Sequence, residues 1–209
     1  MTKPDVVSVI IAAYNAQSTL LYALNSVFTQ RQCDIEVIVV DDCSQDNTLA
    51  LAKQYAKGRH NMHVLQTPTN KGPSAARNLA LDIAKGNWVT VLDADDAFLP
   101  NRLITLLTCA KQHSLDMIAD SYFISPSQTH TTGATRLTSL FTKHTVTQLG
   151  AADFIRNGLG SVKPLIRRSV LERLHGRFNE DCRSGEDLLL YTSLIMQGGQ
   201  FGFLNKPLY

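Results

Sequence analysis

Continuous apolar runs alternate along the chain with segments whose apolar residues recur every three or four positions. Val6–Ala13 and the stretch IEVIVVDD are two such runs, rich in β-branched residues, and they predict parallel strands that are covered on both faces. Between them Leu20, Leu24, Val27 and Phe28 fall on one face of a predicted helix. Three further strands are predicted over MHVLQT, WVTVLDADD and DMIADSYFI.

Capping and turn residues separate the helices from these strands. Asp46 caps the second predicted helix, and Gly58 suits its end. Pro73 opens a third helix that closes near Gly86, and a fourth covers Pro100–His113. Strands that alternate with helices of about ten to fifteen residues predict an α/β fold with a doubly wound, mostly parallel, Rossmann-like sheet.

Three of the predicted strands end in residues that are suited to binding. Tyr14 and Asn15 follow the first strand, Asp41 and Asp42 end the second, and an acidic cluster ends the fourth. Ligands of doubly wound sheets bind beyond the carboxyl ends of the strands. These three strand ends are therefore predicted to line one site.

The acidic cluster consists of Asp93, Asp95 and Asp96. Ionised carboxylates this close repel one another, and burying each one costs several kcal/mol unless it is paired or binds a cation. A positively charged group is therefore expected there, although one of the three can instead cap a turn.

The composition of the chain changes after Ile124. Eleven of the residues in Ser125–Thr147 are Ser or Thr, and this stretch is predicted to be a mobile loop, a poorly regular hairpin or an ordinary surface excursion. A short strand and a helix are then predicted over VKPLIRRSVLERL, and a loop and a helix over RSGEDLLLYTSLIMQGG. The last segment opens like a strand and stops, so we expect the protein to continue beyond Tyr209.

Composition and simple motifs narrow the possible functions. The net charge of +2 gives no support for a nucleic-acid partner, and no apolar run is long enough to span a membrane. Four scattered cysteines without a C-x-x-C pair are read as buried thiols in a reducing cytosol. The sequence has no phosphate-cradling glycine motif and no nucleophile elbow. A phosphoacceptor receiver domain fits poorly, because its acidic pair follows the first strand.

Five segments resemble, in order, the motifs of family 2 glycosyltransferases with the GT-A fold. They are VSVIIAAYNAQSTLLYALNSVFTQ, IEVIVVDDCSQDNT, NKGPSAARNLAL, GNWVTVLDADDAFLPNRL and GEDLLLYTSLIMQGG. The resemblance covers about Val6 to Tyr209 and is weakest over Ser125–Thr147. It implies an inverting transfer of a hexosyl group from a nucleoside diphosphate sugar to an acceptor hydroxyl.

The resemblance implies a metal and diphosphate site at the acidic cluster. Asp93 and Asp95 match the D-x-D motif of the family, with Ala94 between them in contact with the nucleotide sugar. Asp96 follows as in relatives that read DxDD, and either of the last two acids can be the direct ligand. Mn²⁺ or Mg²⁺ is the implied cofactor, because hard cations take carboxylate and phosphate oxygens and stabilise a diphosphate leaving group.

The resemblance also implies a nucleotide pocket at the ends of the first two strands. Asp41 matches the carboxylate that accepts a hydrogen bond from the nucleobase, and uracil N3–H is a suitable donor. Ala12 and Tyr14 should line the same pocket, while Asp42 is structural or lies near the ribose. Arg77 is either turned toward the nucleotide or an exposed helix arginine.

Asp187 matches the second residue of the E-D pair of the family, which implies the general base for the acceptor hydroxyl. Glu186 is then expected to hold the loop or an acceptor hydroxyl. The alternative is that both acids merely begin a helix, where negative charge favours the helix dipole.

The expected organisation is a nucleotide-sugar-binding half over residues 1–124 and an acceptor-binding half over residues 125–209. A saccharide or lipid-linked saccharide is the expected acceptor. The protein is expected in the cytoplasm, either free or held at the inner face of the membrane by a missing C-terminal segment. A glycoside hydrolase needs neither the D-x-D nor a nucleotide pocket. A nucleotide-sugar-binding module without catalysis, or an inactive fragment, is the alternative function.

Overall fold

The structure is a computed structural model that describes residues 5–124, 135–136, 145–182 and 184–209. Its first part alternates strands and helices as the hydrophobic pattern predicts. The elements are β1 (Val6–Ala13), α1 (Leu20–Phe28), β2 (Asp34–Asp41), α2 (Thr48–Ala56), β3 (Met62–Gln66), α3 (Pro73–Ile83), β4 (Trp88–Val91), α4 (Arg102–Gln112) and β5 (Met117–Phe123).

The second part has shorter elements and confirms the predicted strand and helix of VKPLIRRSVLERL and the helix that begins at GED. The elements are β6 (Thr135–Arg136), β7 (Val146–Leu149), α5 (Ala151–Arg156), a 3₁₀ turn (Leu159–Ser161), β8 (Leu165–Arg167), α6 (Arg168–Arg173), α7 (Glu186–Met196) and β9 (Phe201–Pro207). Strand β7 was not predicted. Most of the Ser/Thr-rich stretch, whose mobility was predicted, lies outside the described residues.

One mixed sheet joins both parts of the chain, in the order β3-β2-β1-β4-β8-β5-β9-β7, with β6 beside β5. Strands β1 to β4 pair in parallel, as predicted, and β5 pairs in parallel with β9. Strand β8 lies between β4 and β5 and is antiparallel to both, an insertion that the sequence pattern did not predict. The fold is of the predicted α/β class, and its first part has the strand order β3-β2-β1-β4.

Two apolar layers cover the sheet, because successive residues of each buried strand point to opposite faces. In β1, Val9 and Ile11 pack in the layer formed with α1 and α4, whereas Ile10 packs in the layer formed with α3 and α7. Full burial of both faces explains why the strands are continuous apolar runs rather than alternating ones. Among the described helices, none is long and apolar enough to cross a membrane.

The sheet register brings the predicted binding residues to one edge. Ala13 at the end of β1 pairs with Asp41 at the end of β2, and the amide of Asp42 donates to the carbonyl of Ala13 at 2.8 Å. On the other side of β1, the amide of Leu92 donates to the carbonyl of Ile10 at 2.9 Å, which places Asp93 just beyond the sheet. The ends of β1, β2 and β4 therefore share one edge of the sheet.

Candidate functional site

The loop after β4, Asp93–Leu99, is called the acidic loop below. Its first carboxylate is already bound by two cationic side chains. Asp93 Oδ1 accepts from Arg77 at 2.8 Å, and Asp93 Oδ2 lies 3.0 Å from the ammonium nitrogen of Lys163. Both oxygens of Asp93 are therefore engaged by cationic side chains of the protein.

Arg77 connects the acidic loop with the start of α7. It lies in the first half of α3 and is only 4% exposed, so the alternative of an exposed helix arginine is wrong. Besides Asp93, its guanidinium donates to Glu186 at 2.7 Å and reaches Asp187 at 3.5 Å. In this structure Arg77 thus holds three carboxylates from two distant parts of the chain, whereas its predicted contact with a nucleotide stays a prediction.

Lys163 is the second cation of the site, and sequence reasoning missed it. It immediately precedes the segment that enters β8 and is 7% exposed. Its ammonium group lies 2.5 Å from Asp187 Oδ2 as well as 3.0 Å from Asp93 Oδ2. A lysine this deeply buried needs such partners, because an unpaired buried charge is costly. The only available sequence signal was a lysine within an otherwise apolar segment.

Asp187 lies in the first turn of α7, and its carboxylate is bound on both sides. Tyr191, one turn later, donates its hydroxyl to Asp187 Oδ1 at 3.2 Å, while Lys163 binds the other oxygen. Glu186 and Asp187 both occupy the first turn of this helix, where its dipole favours negative charge. Position alone thus suits a helix-start acid and a general base equally.

Arg77, Lys163, Asp93, Glu186 and Asp187 form an ion-pair cluster in which two cations face three carboxylates, leaving one net negative charge. Burial by itself would lower the pKa of Arg77, but Asp187 and Asp93 outweigh it and raise that pKa. Burial would likewise lower the pKa of Lys163, but Asp93 and Asp187 outweigh it and raise that pKa. Burial alone would raise the pKa of Asp93, but Lys163 and Arg77 lower it below its ordinary value. These three groups are therefore charged at neutral pH.

The other two acids of the loop are better placed than Asp93 to receive a cation. Asp95 is exposed. Asp96 accepts a hydrogen bond at Oδ2 from the hydroxyl of Tyr209 at 2.9 Å, while its Oδ1 makes no hydrogen bond within the described residues. Burial raises the pKa of Asp96, although the Tyr209 hydrogen bond opposes the shift.

No group of three His, Cys, Asp or Glu side chains that could hold a metal ion by itself occurs in the part of the chain that the structure describes. Mg²⁺ and Mn²⁺ do not require such a group, since one or two carboxylates with substrate phosphates and water suffice. Asp95 and Asp96 fit that requirement. A cation held there would neutralise the charge of a diphosphate leaving group.

Asp41, the predicted acceptor for the nucleobase, is the last residue of β2. The residue is fully buried, and its Oδ2 accepts from the amide of Ser44 at 3.1 Å and lies 3.4 Å from the side-chain amide of Gln66. Its Oδ1 is buried without a hydrogen-bond partner among the described residues. A buried carboxylate oxygen without a partner is costly, and a ligand N–H would satisfy it.

Asp42 has a different environment, since both its oxygens are occupied by the protein. Thr67 donates its hydroxyl to Oδ1 at 2.7 Å, and the amide of Gly72 donates to Oδ2 at 2.7 Å. The amide of Lys71 adds a third donor at 3.0 Å. Asp42 therefore has a structural role, fixing the turn that leads into α3.

The remaining predicted pocket residues lie at the same edge of the sheet. Ala12 is partly buried and Tyr14 is half exposed, and they flank Ala13, which pairs with Asp41. Ala94 is buried in the acidic loop. Their predicted contacts with a nucleotide sugar stay predictions.

Comparison with known proteins identifies the family. Residues 8–174 match the family described as Glycosyl transferase family 2. The chain belongs to this family.

Two curated relatives are succinoglycan biosynthesis proteins of Rhizobium meliloti (strain 1021). ExoU is 34% identical over 97% of this chain and 60% of its own length, and ExoO is 32% identical over 94% and 57%. The chain thus spans about 60% of the length of these relatives.

Solved structures of S. aureus TarS share the fold. TarS 1–349 superposes with a TM-score of 0.82 at 27% identity, covering 97% of this chain and 59% of TarS 1–349. Two further structures of TarS 1–349 contain UDP, with a TM-score of 0.83, and UDP-GlcNAc, with a TM-score of 0.82.

Proposed function

We propose that this family 2 glycosyltransferase moves a sugar from a UDP-sugar to an acceptor hydroxyl, with inversion at the anomeric carbon and with Mn²⁺ or Mg²⁺. The TarS structures with UDP and UDP-GlcNAc support a uridine nucleotide as donor. The two succinoglycan biosynthesis relatives support a role in making a polysaccharide.

The observation that carries the proposal is the position of Lys163 between two carboxylates of different predicted roles. Asp93 belongs to the acidic loop at the donor end, and Asp187 begins α7 at the acceptor end. Both lie within hydrogen-bond distance of one ammonium group, at 3.0 and 2.5 Å. This spacing supports a sugar transferred between a diphosphate and an incoming hydroxyl.

At the donor end, the unpartnered oxygen of Asp41 accepts the N3–H of uracil. Asp95 and Asp96 hold the cation, and Asp93 contacts the donor sugar or its diphosphate. Ala12, Tyr14 and Ala94 line the nucleotide pocket. In the present arrangement Arg77 supports the carboxylates around this pocket rather than facing solvent.

At the acceptor end, Asp187 takes the proton of the attacking hydroxyl as the oxygen approaches the anomeric carbon in line with the leaving group. Glu186 binds the acceptor. The acceptor is a saccharide or lipid-linked saccharide, and the reaction takes place in the cytoplasm.

A nucleotide-sugar-binding module without catalysis is the second candidate. It is favoured by the hydrogen bonds of Lys163 and Tyr191, which together occupy both oxygens of Asp187. If the protein is an enzyme instead, at least one of these hydrogen bonds must open when the substrates bind, so that an oxygen of Asp187 can accept the proton.

A thermal-shift screen of nucleoside diphosphates and their sugars, each with Mn²⁺ and with EDTA, tests the donor site. UDP at about 100 times its dissociation constant stabilises the folded state by about 2.7 kcal/mol. For a domain of this size that raises the Tm by about 5–11 °C. We expect this shift for UDP with Mn²⁺ and a smaller one with EDTA. An equal shift with GDP would contradict the uridine assignment.

A further inference from the structure

The acidic loop is held in place by a residue more than one hundred positions later in the chain. Tyr209 donates its hydroxyl hydrogen to Asp96 Oδ2 at 2.9 Å, and the same hydroxyl oxygen accepts the backbone amide of Asp93 at 3.3 Å. The phenol of Tyr209 thus bonds to two residues of the acidic loop, to the side chain of Asp96 and to the backbone of Asp93.

Tyr209 is itself held by two contacts to its ring and one to its backbone. It packs against Phe98 with ring centroids 5.8 Å apart, and the guanidinium of Arg102 lies 5.1 Å from its centroid. The carbonyl of Tyr209 accepts the amide of Phe123 at 2.9 Å. These contacts leave the hydroxyl little freedom to leave Asp96.

Arg102, on which this ring rests, also supports the other end of the site. It is completely buried and forms a two-oxygen ion pair with Asp120, with its closest nitrogen–oxygen distance at 2.7 Å. The same guanidinium donates to the backbone carbonyl of Lys163 at 2.6 Å. A single buried ion pair therefore underlies both Tyr209 and Lys163.

The hydrogen-bond directions at Tyr209 have a consequence for Asp96. A phenol has one hydrogen, and an ionised carboxylate can only accept, so this hydrogen must point at Asp96 Oδ2. That bond restrains the Asp96 carboxylate at Oδ2, while its Oδ1 makes no hydrogen bond within the described residues. The oriented free oxygen is what a cation would bind.

We propose that Tyr209 is a positioning residue for the cation site, in which its hydroxyl orients Asp96 and fixes the start of the acidic loop. This inference rests on the proposed function, since it presupposes that the acidic loop binds Mn²⁺ or Mg²⁺. No sequence motif marked Tyr209. Its role follows from the contacts between the segment after β9 and the loop after β4.

The test is Tyr209→Phe, which keeps the ring and its packing but removes the hydroxyl. Mn²⁺ affinity is measured by calorimetry in the presence of saturating UDP, and UDP affinity is measured again in EDTA. Loss of a group that orients a metal ligand costs about 10- to 100-fold in metal affinity, and we expect a loss in that range. UDP affinity in EDTA should not change, because Asp41 lies on another strand.

Tyr55→Phe is the matched control, because it removes a hydroxyl whose solvent-exposed hydrogen bond to Asn25, at 2.7 Å, lies outside the site. It should leave Mn²⁺ affinity unchanged. Adding Tyr209→Phe to Asp96→Asn should cause little further loss, since Tyr209 acts through Asp96. This double variant distinguishes positioning from general weakening of the loop, which would add a second full loss.

The outcomes separate the two proposals. If UDP binding by the unmodified protein is indifferent to Mn²⁺, the metal requirement of the proposed function is wrong and the role of Tyr209 is wrong with it. If the unmodified protein needs Mn²⁺ and Tyr209→Phe binds it equally well, only the role of Tyr209 is overturned.

Discussion

Lys163 gives a prediction whose size can be worked from the structure. Lys163→Met keeps much of the length of the side chain and removes the ammonium group that pairs with Asp93 and Asp187. Removing one partner of a buried ion pair costs about 3–5 kcal/mol, because the remaining charge stays buried. The cost here should lie at the lower end, about 3 kcal/mol, since the Asp93 side chain is 31% exposed and Arg77 still pairs with both carboxylates.

Thermal unfolding at pH 7.5, followed by calorimetry, measures this loss. For a domain of this size about 3 kcal/mol corresponds to a fall in Tm of about 6–12 °C. Lys111→Met is the control, because Lys111 forms an exposed pair with Asp5, and such pairs contribute at most about 1 kcal/mol. A second Asp187→Asn change should recover part of the stability, because it removes one of the unbalanced charges.

The reasoning about Lys163 would be refuted by a Tm within about 2 °C of the unmodified protein, since a change that small means less than about 1 kcal/mol. It would also be refuted if the double variant lost as much stability as Lys163→Met and Asp187→Asn lose separately, added together. Either result would mean that the ion-pair cluster does not hold Asp187 in the folded protein.

Two other predictions concern the pocket and the fold. Asp41→Asn should weaken UDP binding about 10- to 100-fold by calorimetry, because a hydrogen bond to a charged acceptor contributes about 1.5–3 kcal/mol. The control is Asp34→Asn, at an exposed position at the other end of β2, which should leave UDP affinity unchanged. Gly86→Ala should lower the free energy of unfolding in urea by about 1–3 kcal/mol, because its Cβ would lie 2.6 Å from the Ser8 amide nitrogen. Gly150→Ala should change that free energy little, because no atom of the described residues lies within 4 Å of its Cβ.

The sequence predicted the first half of the fold well, because buried parallel strands have a strong local signature. The apolar run of Val6–Ala13 and the helix opened by Pro73 are both present with nearly the predicted bounds. Periodicity says nothing about which strands pair, so the position of β8 between β4 and β5 could not be predicted. Strand β7 was missed because its four residues are polar or only partly buried.

The candidate site was predicted where motifs mark it and missed where only long-range contacts do. Asp41, Asp93 and Asp187 follow from strand ends and from the family motifs. Lys163 and Tyr209 have no motif around them, and their site contacts are with residues 24 to 116 positions away in the sequence. Side-chain charge alone could not tell that Lys163 is buried.

The central claim is that this chain catalyses sugar transfer with Asp187 as the general base. Asp187→Asn keeps the shape of the side chain but removes its basic oxygen. The direct measurement is kcat with a UDP-sugar and an acceptor in the full-length protein, alongside UDP affinity in the same samples. We predict a fall in kcat of about 10²- to 10⁴-fold, the usual contribution of general-base catalysis, with UDP affinity nearly unchanged. An Asp187→Asn variant that turns over like the unmodified enzyme would contradict the account.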